Sequence, residues 1–137
     1  MESKKVKWLI YTVLVGLIPI MSRVLVWVIT PPGTINVFAA SDFIAFGLIL
    51  HISNINEIEH LNNDEKSWKT IQNGTSIVFI ALYCVLFSSL MFGEGAPNSI
   101  DIQAIQWSVM ILAGISFGIS FAVFHRISNI QRSGSVQ

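Results

Sequence analysis

The sequence predicts an all-α polytopic membrane protein: four transmembrane helices in two hairpins, with both termini in the cytoplasm. Three observations predict it. The chain is 53% hydrophobic and only 12% charged, against ~25% charged residues in an ordinary soluble domain. Its apolar residues fall into four runs, each near the ~20 residues that cross ~30 Å of hydrocarbon. Lysine and arginine outside those runs are confined to alternate loops.

The first run covers 8–29. Lys4, Lys5 and Lys7 precede it as the basic region of a signal peptide would. The run is too long for that role, however, and Thr-Pro-Pro-Gly follows it where a small-x-small cleavage site would stand, so it is expected to be retained. Pro19 removes one backbone hydrogen bond and frees the carbonyl of Val15, either as a kink that neighbouring helices tolerate or as a group that helps bind an ion, as in the broken helices of transporters. Pro31, Pro32 and Gly33 force a reversal into the second run, 35–53. The third covers 74–92 and ends at Gly-Glu-Gly-Ala-Pro; the fourth covers 104–124. Helical extensions are expected over 54–62 and 125–132, making one four-helix domain of 1–137.

Orientation follows from the cations. Lys4, Lys5 and Lys7 precede span one, Lys66 and Lys69 lie between spans two and three, and Arg126 and Arg132 follow span four. By the positive-inside rule those segments are cytoplasmic. Trp8, Trp27, Trp68 and Trp107 fall at or near the expected interfaces, where an indole has apolar contact and a wet N–H.

Two opposite charges stand inside the first hairpin. Arg23 lies nine residues before Pro32, and Asp42 nine after Gly33. Counted from helix ends at Thr30 and Ile35, both lie about seven residues deep, roughly 10 Å by helical rise. Either charge alone costs ~2.5–3.5 kcal/mol at a span centre. The spacing therefore predicts an intramembrane Arg23–Asp42 ion pair, which either fixes how the two helices meet or acts as a gate or switch.

Span four carries Gly114, Gly118 and Ala122 at four-residue spacing, with Ser116 and Ser120 repeating alongside. Small residues so spaced let helices approach closely in lipid, so this face is the expected packing and oligomerisation surface of a homo-oligomer. Past span two, Ile52, Ile55, Ile58 and Leu61 recur every third residue; past span four, Ile127 and Ile130 continue similarly. These stripes either pack on one another or receive a cytosolic protein partner. The tetrapeptide Ile-Ser-Asn-Ile occurs in both, at 52–55 and 127–130, by duplication or by chance.

Catalytic and metal signatures are not found. His51, His60 and His125 are isolated in sequence, with His51 and His125 expected at a solvated interface, and Cys84 is the sole cysteine. Glu57, Glu59, Asp64 and Glu65 stand with Lys66 and Lys69 in one short stretch, which reads as a solvated loop rather than a catalytic dyad. No enzyme, cofactor, metal or small-molecule substrate is expected, and a formal net charge of zero argues against direct nucleic-acid binding.

Three function classes remain: a membrane scaffold or sensor subunit holding a cytosolic partner; a small ion or solute transporter or channel; and a membrane-disrupting, holin-like effector. The first-span glutamate of four-span small multidrug transporters has no counterpart in 8–29, nor has the glycine- and arginine-rich first span of fluoride channels. In its paired hairpins and in the extensions after spans two and four, the chain resembles the small four-helix membrane component of the Kiwa anti-phage defence system. That resemblance implies a bacterial inner-membrane oligomer that senses infection and holds a DNA-binding cytosolic partner. The stripe argument expects that partner near Ile52, Ile55, Ile58 and the segment after His125.

Overall fold

The computed structural model describes residues 6–135; Lys4 and Lys5 of the basic patch lie outside the described residues. The fold consists of α1 (Val6–Ile29), α2 (Ala40–Glu59), α3 (Lys66–Gly95) and α4 (Ile102–Gly134), with a 3-10 turn at Asn63–Glu65. No strand occurs among the described residues. α1 opens with a wider π-type stretch, Leu9–Leu14, and is regular from Val15 through Pro19 to Ile29.

α2 is the centre of the molecule, with α1 on one side and α3 and α4 on the other. Composition explains the arrangement. α1, α3 and α4 are each long and apolar enough to cross a membrane. α2 is not among them, because it carries Asp42, His51, Asn54, Asn56, Glu57 and Glu59. The most polar helix is sheltered by the three apolar ones, which turn residues such as Leu25, Ile29, Val85 and Ile111 outward. An apolar exterior around a polar centre suits a membrane-embedded protein, where lipid solvates the outside and polar groups find partners within.

Two glycines permit close approach to α2. A Cβ at Gly16 of α1 would stand 2.8 Å from the Phe46 ring, and one at Gly47 of α2 would stand 2.1 Å from Cζ of Tyr83. Around these contacts lie two apolar clusters. Ala40, Ile44, Tyr83, Leu90, Ile105 and Val109 fill the space between α2, α3 and α4. Phe46, Leu50 and Ala113 join α2 and α4, with Val13, Leu17 and Ile20 packed on from α1.

The first hairpin departs from the expected helix over 35–53. Gly33 adopts φ +85°, and Thr34 closes the turn by donating both its N–H and its hydroxyl to the Pro31 carbonyl, at 3.2 and 2.8 Å. The next five residues, 35–39, are not helical, and Ala39 is still extended at φ −128°, ψ 139°. Ile35, Asn36, Val37 and Phe38 are indifferent helix formers, and β-branched residues lose χ1 freedom in a helix. α2 begins only at Ala40, which puts Asp42 in its first turn rather than two turns deep. The carboxylate there also meets the positive end of the helix dipole.

At the opposite end the stripes meet each other. Ile58, Leu61, Val123 and Ile127 form a third buried cluster, flanked by Trp68 and Ile119. Ile58, Leu61 and Ile127 are therefore internal contacts: of the two alternatives expected for the stripes these residues take mutual packing, and their part in the alternative of binding a partner is corrected. An apolar stripe that finds a matching stripe in its own chain is buried by it. Ile55 and Ile130 are half-buried and Ile52 is exposed, 59%. The Ile-Ser-Asn-Ile copies are not equivalent either: Ile52 faces outward where Ile127 is buried, and Asn54 is buried where Asn129 is exposed.

Candidate functional site

The two opposed faces of α2 each carry a polar join. Residues 42, 46, 49 and 53 lie on one face of a helix and 44, 47, 51, 54 and 58 on the other. The first face meets α1. Near the Pro-Pro-Gly turn, Arg23 Nε donates to Asp42 Oδ2 in a salt bridge. Near the other end, Trp8 Nε1 donates to Ser53 Oγ at 3.2 Å, and Thr12 Oγ1 lies 3.2 Å from the same hydroxyl. α1 is thus held to α2 at both ends by polar contacts, with apolar packing between them.

The structure brings Arg23 and Asp42 together by a route other than two helices of equal depth. Arg23 sits six residues inside α1, which ends at Ile29. The non-helical 35–39 segment returns from the turn at ~3.3 Å per residue, against 1.5 Å for a helix. It delivers the first turn of α2 to the level of Arg23. Their side chains are 33% and 14% exposed, so the pair is partly solvated rather than sealed. Gln106 of α4 donates to the Phe38 carbonyl at 3.3 Å, satisfying one backbone group of the segment.

The second face meets α3 and α4. His51 is fully buried, with Nδ1 3.2 Å from Ser76 Oγ of α3 and Nε2 2.9 Å from Ser116 Oγ of α4. Ser116 also lies 2.8 Å from the Tyr83 hydroxyl. One turn on, Asn54 Nδ2 donates to Ser120 Oγ at 2.9 Å. The imidazole stacks on Phe79 with centroids 4.8 Å apart. Sequence reasoning placed His51 at a solvated interface; that expectation is corrected, since three helices enclose the ring.

The Tyr83 and Ser116 hydroxyls share a bond that either can donate, and Ser116 bonds His51 Nε2 in turn. A neutral imidazole carries one N–H, so one ring nitrogen donates and the other accepts, and the Ser76 and Ser116 hydroxyls take the complementary roles. This chain satisfies the buried groups with the imidazole uncharged. Its effect is to add directional contacts to the tight packing of α2 against α3 and α4. The spacing that signals it is 47-51-54-58 on α2 against 116-120 on α4 and 76-83 on α3. Single histidines and serines read one at a time do not reveal it.

The remaining candidates lie elsewhere. Gly114, Gly118 and Ala122 face outward on α4, and a Cβ at either glycine would meet nothing within 4 Å. No other helix among the described residues packs on the two glycines. Cys84 is exposed. His60 bonds the Asn56 carbonyl at 2.6 Å, and among the described residues no three His, Cys, Asp or Glu side chains gather to hold a metal. The acidic loop is tied down locally: Glu59 accepts from Asn73 at 2.7 Å and Glu65 from Arg126 at 3.1 Å. Cavities open at the end of the molecule that carries Lys7, Lys66, Lys69, Arg126 and Arg132. One of about 370 Å³ is lined by Lys7, Tyr11, Glu57 and Gln131, and one of about 830 Å³ by His60, Asp64, Glu65, Ser128 and Gln131.

No family model, no curated protein and no solved structure matches the chain.

Proposed function

We propose that the chain is a four-pass membrane scaffold or sensor subunit that oligomerises in the bilayer and holds a cytosolic protein partner at its lysine/arginine end. One observation carries the reading. α3 and α4 have 30 and 33 residues, roughly 45 and 50 Å by helical rise, whereas hydrocarbon is ~30 Å thick. Their excess length, with the end of α2, builds the separate cluster of Ile58, Leu61, Val123 and Ile127. A protein acting only within the hydrocarbon has no need of a second core outside it.

Several further features support the proposal. Lys7, Lys66, Lys69, Arg126 and Arg132 all belong to this end, which makes it the cytoplasmic one under the positive-inside rule, with both termini on that side. The Ile58–Ile127 cluster holds the end rigid, and the cavity of about 830 Å³ lined by His60, Asp64, Ser128 and Gln131 gives a partner a polar surface. The Gly114–Gly118–Ala122 face, open within the chain, suits contact between copies. The Kiwa resemblance adds a bacterial inner membrane, an anti-phage role and a DNA-binding partner.

The transporter or channel reading draws on the polar residues of α2. Those residues lie on two opposed faces and bond to neighbouring side chains, an arrangement that supports a structural seam more than a path. Photo-crosslinking in intact membranes separates the readings. A photoreactive residue at Gln131 or His60 is expected to capture one cytosolic protein, while the same residue at Phe38 or Trp107 captures none. Absence of a protein adduct at Gln131 and His60 would remove the basis for a scaffold.

A further inference from the structure

A cleft between α3 and α4, separate from the polar seam, opens at the lysine/arginine end. Its volume is about 330 Å³, and Trp68, Gln72 and Thr75 wall it on α3 and Ile119, Ala122 and Arg126 on α4. Residues 68, 72 and 75 share one helical face, as do 119, 122 and 126, so the cleft runs along the two helices. Its mouth is polar and its floor apolar. The Arg126 guanidinium lies 4.7 Å over the Trp68 indole. Of its donors, Nη2 bonds Glu65 at 3.1 Å, and the side chain stays 50% exposed, so that pairing is weak and screened.

The lining of the cleft carries one charged side chain, the cation Arg126. Lys69 Nζ is directed at a neutral group, the Leu61 carbonyl, at 3.0 Å. Lys66 follows Asp64 and Glu65 directly in the chain, and Glu59 is held by Asn73 of α3 at 2.7 Å, all of them outside the cleft lining. Beyond the floor the surface is apolar, with Ile115 of α4 and Leu82 of α3 exposed.

We propose that this cleft binds the headgroup of an anionic phospholipid. The phosphate faces Arg126 and the Gln72 amide, and an acyl chain runs from the Ile119–Ala122 floor along Ile115. Charge and position choose the occupant. A Trp–Arg pair at the boundary between apolar and polar helix surface marks headgroup level, where the anion present in quantity is lipid phosphate. Free phosphate matches the mouth but leaves the apolar floor uncovered. The proposal rests on the chain lying in a bilayer and shares one residue, Ala122, with the face assigned to contact between copies.

The test is native mass spectrometry of the full chain released from nanodiscs of phosphatidylglycerol and phosphatidylcholine in equal amounts. Wild type is expected to retain phosphatidylglycerol preferentially. Arg126→Gln is expected to lose that preference by about tenfold, what one charge-assisted hydrogen bond contributes. Ala122→Phe fills the floor without changing charge and is expected to lose it as well, whereas Lys7→Gln, outside the cleft, keeps it. Inorganic phosphate added at matched concentration is expected to displace nothing. Equal retention of both lipids by wild type, or wild-type preference in both Arg126→Gln and Ala122→Phe, would overturn the proposal. Displacement of lipid by inorganic phosphate would overturn the assignment to lipid.

Discussion

Gly47→Ala is the most direct perturbation of the join between α2, α3 and α4. The added methyl would lie 2.1 Å from Cζ of Tyr83 and 2.2 Å from its hydroxyl oxygen. Carbon contacts settle near ~3.5 Å, so ring or helix must give by roughly 1 Å. Tyr83 is fully buried and cannot swing away. Its 2.8 Å bond to Ser116 does not survive a displacement of that size, and Ser116 is the hydroxyl that orients His51. Overpacking costs about 1–3 kcal/mol, and a lost interhelical hydrogen bond in a membrane adds about 0.6, at most about 1.7 kcal/mol. The expected loss is therefore about 2–4 kcal/mol, read by equilibrium unfolding in mixed micelles with graded SDS. Tyr83→Leu in the same chain removes the obstruction. The double variant is then expected to be more stable than the two single losses summed, by about 1 kcal/mol or more. A Gly47→Ala protein within about 0.5 kcal/mol of wild type, with no coupling to position 83, would refute the packing described here.

Three other outcomes are expected. Arg23→Ala or Asp42→Ala alone is expected to cost roughly 1–3 kcal/mol in the same assay, below the ~3–5 kcal/mol of a sealed pair because Arg23 is a third exposed. Neutralising both is expected to cost less than the sum, while exchanging them restores stability only in part, since an arginine in the first turn of α2 opposes the helix dipole. Gly114→Leu and Gly118→Leu meet nothing within the chain, so unfolding is expected to be unchanged while the mass of the particle in mild detergent falls. Ile58→Asp, in the buried cluster, is expected to expose the lysine/arginine end to protease. Ile52→Asp, already outward, is expected to leave that end as resistant as wild type.

Much of this fold is legible in the sequence because composition alone decides it. Four apolar runs, a Pro-Pro-Gly reversal and the grouping of lysines and arginines specify helices, order and a polar end. The Arg23–Asp42 contact is legible for the same reason: two charges flanking a tight turn have few other partners. Its geometry was not, because the onset of α2 depends on Ile35–Phe38 losing a close contest between helix and extended chain. His51 was misplaced for a related reason. Hydropathy reads a histidine as a cost to be kept near water, and nothing along the chain shows that Ser76, Tyr83 and Ser116 converge on it from two other helices. The mutual burial of Ile58, Leu61 and Ile127 lay within the alternatives the stripes allow, but a one-dimensional pattern holds no information on which partner arrives.

The measurement that bears most directly on the proposed function is affinity purification of the full chain from native membranes in gentle detergent, with mass spectrometry of what remains bound. The account predicts a soluble protein in stoichiometric amount, lost when Ser128 and Gln131 are both changed to lysine and retained when Gly114 and Gly118 are changed to leucine. Recovery of the chain alone as a homogeneous oligomer, with ion flux on reconstitution into liposomes, would contradict it and assign the polar seam of α2 to transport.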